Sequence, residues 1–218
     1  HLIVRSVKAL YIELIPMNIL QLDKTQSFPP TSGGETRSWR TAEKLAEFGT
    51  LWRASPWDGY TQLPRDIRLI ALSSPTLSVK SIRNDLWYGA FVVGVNHPVQ
   101  RLITRHVLSQ VTQVDVSFDV IVSESPQMIA PAQQLAQKAE ARLILNKQNC
   151  YYDFLDQFLQ GRHVPSVIRE RAVGNLRTYE QQGIDNADVV VFQSEDDTTH
   201  FDTSSPSNVK VIPNGTSY

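Results

Sequence analysis

Short runs of Val, Ile and Leu, recurring along the whole chain between helix-like stretches, constrain the fold more than any other feature. They fall at residues 18–22, 50–54, 67–72, 119–123, 141–145, 188–192 and 209–212. Several are continuous apolar runs rather than alternating ones, as required where helices cover both faces of a sheet. Helical patterns fill the gaps at 35–48, 77–114, 126–140, 165–183 and 194–201. Gly49 is placed to cap the first of these and Pro98 to break the second. Pro165 and Gly183 bracket the fourth in the usual order, and Ser194 with Asp197 resembles a capping pair at the start of the last. Strand–helix–strand alternation of this kind predicts an α/β fold: an open, doubly wound, mostly parallel sheet flanked by helices, with right-handed crossovers. The Pro- and Ser-rich stretches 25–32 and 55–66 are expected as loops at the carboxyl edge of that sheet, where ligands bind in such folds.

Composition removes several classes of function. With 218 residues, 41% of them hydrophobic and 20% charged, the chain can bury a sizeable core. A net charge of −1 supplies no basic field for nucleic acid. Cys150 is the single cysteine, so no internal disulfide framework exists, and a reducing, cytoplasmic setting fits. Beside Tyr151 and Tyr152 it reads as a packed thiol. No run reaches the ~20 apolar residues needed to span a bilayer. Residues 1–16 carry Glu13 within their apolar part and lack a small-residue cleavage pattern, so they are not expected to act as a signal peptide. They are expected to be an upstream extension, with Met17 as the natural start of a domain covering 17–218.

The residues after the first strand, Asp23-Lys24-Thr25-Gln26-Ser27-Phe28-Pro29-Pro30-Thr31-Ser32-Gly33-Gly34-Glu35, bring a glycine pair to a helix start. Glycines there let backbone N–H groups approach a ligand, and the helix dipole favours an anion. The pattern is neither the dinucleotide G-x-G-x-x-G nor a Walker loop. Glu124 ends a strand and is placed either to accept hydroxyl hydrogen bonds or to sit solvated in a loop. Ser194 reads first as a helix N-cap. His106, His163 and His200 have no partner at ligand spacing, so no metal site is expected. Trp57 and Tyr60 are suited to stack on a ligand ring, to dip into lipid headgroups, or to anchor their loop.

Taken in order, these segments resemble the N-terminal domain of family 4 glycosyltransferases, the Rossmann-like first half of a GT-B fold. The likeness runs from the Gly33-Gly34 helix start with Arg37 and Arg40, through Phe118-Asp119-Val120-Ile121-Val122-Ser123-Glu124 and Ala141-Arg142-Leu143-Ile144-Leu145-Asn146. It continues in Asn186-Ala187-Asp188-Val189-Val190-Val191-Phe192-Gln193-Ser194 and ends on Val211-Ile212-Pro213-Asn214-Gly215. It implies the acceptor-binding half of an enzyme that moves a sugar from a nucleotide-sugar co-substrate to a glycan, lipid-linked or small-molecule acceptor. No metal or other cofactor is implied. The implied substrate-binding residues are Gly33, Gly34, Glu35, Glu124, Gln148, Asn149 and Ser194. Many relatives carry a histidine where this chain has Asn146-Lys147-Gln148-Asn149, so amides replace a base there. The family's paired glutamates and phosphate-binding cations belong to a C-terminal donor-binding domain, outside this sequence, and without it the chain is expected to be inactive. The alternatives are a non-catalytic binding or scaffold module needing a separate donor domain, and a sugar-nucleotide epimerase.

Overall fold

The computed structural model describes residues 17–24, 30, 32–56, 67–72, 84–94, 96–203 and 209–213. The expected strands all form. They are β1 (Met17–Leu22), β2 (Gly49–Ser55), β3 (Ile67–Ala71), β4 (Val120–Ser123), β5 (Arg142–Asn146), β6 (Val189–Phe192) and β7 (Val209–Val211). They build one sheet in the order β3-β2-β1-β4-β5-β6-β7, every pair parallel. The fold is therefore the doubly wound, Rossmann-like α/β arrangement read from the sequence. The chain runs outward from β1 to β3 and then returns to β4 on the other side of β1. That reversal opens a crevice between the carboxyl ends of β1 and β4.

Alternation along each strand divides the core between the two sheet faces. Ile19, Leu51 and Val122 face α1 (Gly33–Ala46) and pack with its Trp39 and Ala42. Leu20, Leu22 and Ile121 face the opposite layer. That larger core also receives α2 (Asn84–Val92), α3 (Asn96–Val111), α4 (Ile129–Ala139), α5 (Tyr151–Gly161) and α6 (Ser166–Asp185). A short α7 (Glu195–Thr199) follows β6. Full burial of each Leu or Ile is worth about 1.5–3 kcal/mol, which is why the continuous apolar runs are held inside. Among the described residues, no helix is long and apolar enough to cross a membrane.

Several local expectations are corrected. Gly49 does not cap α1, whose C-cap is Glu47. It opens β2 instead, where a Cβ would stand 2.0 Å from the Met17 carbonyl oxygen. Only a glycine lets β2 start so close to β1. The helical pattern at 77–114 is interrupted not at Pro98, which lies in the first turn of α3, but after α2, near Gly94 with φ of 74°. Gly183 lies within α6, where an added Cβ would stand 3.0 Å from the Ile129 side chain. Helix α5 is an addition to the sequence reading. Its buried Tyr151, Leu155 and Leu159 recur every four residues, but the aromatic residues that begin it are poor helix formers and obscure the period. The proposed extension at 1–16, most of both carboxyl-edge loops, and Trp57, Tyr60, Asn214 and Gly215 lie outside the described residues.

Candidate functional site

Register aligns the carboxyl edge of the sheet. Leu22 pairs with Ala54 and Ser123, and Ser123 pairs with Leu145. The residues that follow, Asp23, Ser55, Glu124 and Asn146, therefore stand in a row at the crevice. Arg53 is opposite Gln21 across the β1–β2 pair and is 2% exposed, so its charge needs a partner. Its Nη2 donates to Asp23 Oδ2 at 2.8 Å and to Ser38 Oγ at 3.1 Å, and its Nη1 donates to Gln21 Oε1. Ser38 on α1 donates to the same Asp23 oxygen at 2.5 Å. The Gln21 amide passes the network on, donating to Glu124 Oε1 at 2.7 Å.

Glu124 is 1% exposed and sits where three amides converge. Besides Gln21, its other oxygen accepts from Asn146 Nδ2 at 2.8 Å and Gln148 Nε2 at 3.1 Å. A carboxylate offers about four lone-pair sites, so these three bonds leave one on Oε1 for a ligand hydroxyl. Burial, followed by the negative charge of Asp23, pushes the Glu124 carboxyl up to about 7, against the lowering effect of its amide donors and Arg53. Such a group exists as acid and base in comparable amounts at neutral pH, which suits proton transfer. Arg37 on α1 reaches Asn146 Oδ1 at 3.4 Å and so braces one of the amide donors.

Glu124 opens onto a cavity of about 270 Å³. Asp23, Lys24, Ser125 and Tyr151 line it beside Glu124 and Gln148, and Tyr88 and Phe154 add aromatic walls. Burial lowers Lys24 to about 8, an effect that Asp23 opposes. The Tyr88 and Tyr151 phenols are pushed up by burial, so both remain neutral donors. Ser125 is 5% exposed, and its Oγ has no hydrogen-bond partner among the described residues. A buried hydroxyl left this way costs free energy that a polar ligand would recover.

Five of the seven residues expected at a site, Gly34, Glu35, Glu124, Gln148 and Asn149, line this cavity. Gly33 does not, and a Cβ there would meet open space. The glycine pair forms the first turn of α1 between Ser32 and Glu35, which make a reciprocal capping box. Ser32 Oγ accepts from the Glu35 N–H at 3.3 Å, while the Glu35 carboxylate accepts from the Ser32 N–H at 3.1 Å. Glu35 thus spends its carboxylate on the helix start. Ser194 is the N-cap of α7, accepting from the Asp197 N–H at 3.1 Å, and does not line the cavity. Asp23 and Lys24, directly after the first strand, are site residues that the sequence reading passed over. Their position at a strand end was the available signal. Away from the cavity, the ligand atoms of Cys150, Asp153 and His200 lie within 4.8 Å of one another, a grouping that linear spacing does not reveal.

The structure is similar to that of Os79 from O. sativa, solved with UDP and deoxynivalenol-3-glucoside. The TM-score is 0.50 at 14% identity, over 90% of this chain and 52% of that one. It is also similar to Anabaena HepE, solved with UDP and glucose, at a TM-score of 0.48 and 14% identity, over 92% of this chain and 45% of that one. The chain spans about half the length of these structures. No family model matches the chain, and no curated protein matches it by sequence. The likeness to Os79 concerns the fold, the Rossmann-like sheet of a GT-B protein. The narrower resemblance to family 4 rests on the sequence motifs alone.

Proposed function

We propose that this chain is the acceptor-binding side of a glycosyltransferase that draws its sugar from a nucleotide-sugar donor. The observation that carries the proposal is Glu124: a buried carboxylate at the β1–β4 switch point, held by three amides, that lines a polar cavity. Ser125 Oγ, without a partner beside it, supplies a second point for a hydroxyl-rich ligand. An acceptor sugar or glycoside would donate one hydroxyl to Glu124 Oε1 and exchange hydrogen bonds with Ser125 and the Gln148 and Asn149 amides. Tyr88, Tyr151 and Phe154 offer apolar surface to its ring. As that hydroxyl attacks the anomeric carbon of the donor, its proton passes to Glu124, while the bond from that carbon to the diphosphate oxygen breaks.

Os79 was solved with UDP, which favours a uridine diphosphate sugar as the co-substrate. Membership of family 4, a separate donor-binding domain, freedom from any metal in glycosyl transfer, and a cytoplasmic location with contact at the inner membrane face belong to the same proposal. So do the roles of Gly33, Glu35 and Ser194 as secondary contacts.

Calorimetric titration of the chain with a panel of methyl glycosides and with UDP tests the reading. A glycoside is expected to bind, and Glu124→Gln to weaken it by roughly tenfold, the scale of a lost bond to a charged group. Absence of glycoside binding, or equal affinity in the variant, would sink the assignment. Glycoside binding that persists without turnover when a donor-binding domain and a UDP-sugar are added would favour the non-catalytic module.

A further inference from the structure

Three metal-ligating side chains meet at a second place on the carboxyl side of the sheet, between the start of α5 and the end of α7. Cys150 is the N-cap of α5 and Asp153 its third residue, so both project from the same turn. His200 is the C-cap of α7 and arrives from the other side. The distance from His200 Nδ1 to Asp153 Oδ2 is 3.2 Å, and the thiol, carboxylate and imidazole ligand atoms all lie within 4.8 Å of each other. A tetrahedral zinc with bonds of about 2.0–2.2 Å to nitrogen and oxygen separates those two atoms by roughly 3.4 Å. The observed spacing already approaches it.

The surroundings suit a cation. Cys150 is 7% exposed, whereas the Asp153 and His200 side chains are 38% and 39% exposed, so the cluster is closed at the sulfur and open opposite it. Tyr152 donates its hydroxyl to the His200 carbonyl at 2.9 Å and lies 3.2 Å from Nδ1, which fixes the ring. Burial raises the proton affinity of the Cys150 thiol, as do Glu180 and Asp153, while a hydrogen bond with Tyr152 and the Lys147 ammonium, itself paired with Glu180, act the other way.

We propose that Cys150, Asp153 and His200 bind one zinc-class divalent cation, with water completing four-coordination. On binding, the Cys150 thiol releases its proton to solvent as the metal–sulfur bond forms, and no oxidant or reductant is involved. The ion would tie α7 to the start of α5, two residues beyond Gln148, and so stiffen the wall that carries Gln148 and Asn149.

Titration of the full chain, freed of metal by chelation and dialysis, with Co²⁺ tests this. One equivalent should bind, with a near-ultraviolet thiolate-to-cobalt charge-transfer band and the visible bands of a tetrahedral centre, and Zn²⁺ should displace it. Cys150→Ser should remove the charge-transfer band. Because Cys150 is buried and its variant risks misfolding, the half-exposed positions provide the second arm. His200→Ala and Asp153→Asn, checked for native circular dichroism, should each weaken Co²⁺ by more than about tenfold, the scale on which even supporting residues matter. Zn²⁺ should raise the Tm of the parent protein and leave that of His200→Ala unchanged. No thiolate band in the parent, or unchanged Co²⁺ affinity in His200→Ala, would overturn the site. Glycoside binding enters none of these readouts, so the result stands apart from the transferase reading.

Discussion

Glu124 carries the largest chemical consequence of any single residue. Burial and Asp23 hold its proton up to about pH 7, where an ordinary glutamate loses it at 4.5. Between those values the native state binds more protons than the unfolded chain, so this group's contribution to stability declines as pH rises from about 4.5 to about 7. The full shift corresponds to about 3 kcal/mol. Denaturant titrations of the parent and of Glu124→Gln across that window should therefore differ in slope, the parent losing stability toward neutral pH relative to the variant. Parallel curves would show that the carboxyl titrates normally. Gly34 gives a steric test of the same cavity. A Cβ there would stand 3.2 Å from Gln148 Oε1, a mobile side-chain end that can yield to one methyl. Gly34→Ala should leave glycoside affinity within about threefold, whereas the branched Gly34→Val should lower it at least tenfold at a similar Tm, since volume added beyond what neighbours can accommodate is costly. Equal affinities in both would remove Gly34 from the ligand's path. Glu124 stood out beforehand because a residue that follows a parallel strand is directed at the crevice whatever its surroundings, whereas Gln148 and Asn149, two and three residues beyond the end of β5, were named only through the family resemblance. That Glu124 is buried was not legible, because its three amide donors come from β1, β5 and the loop after β5, up to 103 residues away.

Each secondary-structure element reports its sequence signals with different fidelity. All the strands were visible as β-branched or apolar runs, because burial on both faces leaves no room for polar interruption. The exceptions prove informative: Arg68 and Lys210 are exposed on the edge strands β3 and β7, whereas Gln21 and Arg53 are buried polar residues inside strands, and both belong to the site network. Helix ends were harder to read. At the start of α1 the glycine pair draws the eye, yet the stabilising device is Ser32 with Glu35 on either side of it. This box matters because two glycines in a first turn disfavour helix by roughly 1 kcal/mol each relative to alanine. Ser32→Ala should destabilise the protein by about 1 kcal/mol, seen as a lower urea midpoint at constant m. A change under about 0.3 kcal/mol would mean that α1 is held by packing of Trp39 and Ala42 alone. Gly49 shows the opposite error, a glycine read as a helix stop that is required by strand pairing. Gly49→Ala would force a methyl against the Met17 carbonyl at 2.0 Å. It should cost about 3 kcal/mol or more, because backbone rather than a side chain must move.

Across the whole molecule, the carboxyl edge of the sheet concentrates buried charge while the layers on either side are apolar. Arg53 with Asp23 supports one flank of the crevice, and Lys147 with Glu180 supports the other. The second pair joins distant parts of the chain. Lys147 follows β5, Glu180 lies on α6, and the other Glu180 oxygen accepts from the Tyr152 N–H at 3.1 Å in the first turn of α5. One fully buried carboxylate thus connects a strand end and two helices around the loop that presents Gln148 and Asn149. No periodicity in the sequence marks such a pair, since both residues look like ordinary surface charges until the topology brings them together. Their mutual dependence is testable. Removing the charge of Glu180 alone strands an ammonium that is 5% exposed, so Glu180→Gln should destabilise by about 3–5 kcal/mol. The double change Lys147→Met with Glu180→Leu should recover most of that loss, because desolvation of the two charges largely offsets their attraction. Glycoside affinity should nevertheless stay depressed in the double variant, since the α5 start loses its anchor while the apolar core gains two side chains. Recovery of stability together with full affinity would mean that the pair serves folding only. A loss below about 1 kcal/mol in Glu180→Gln would mean that solvent reaches Lys147, an outcome incompatible with a closed wall behind the cavity.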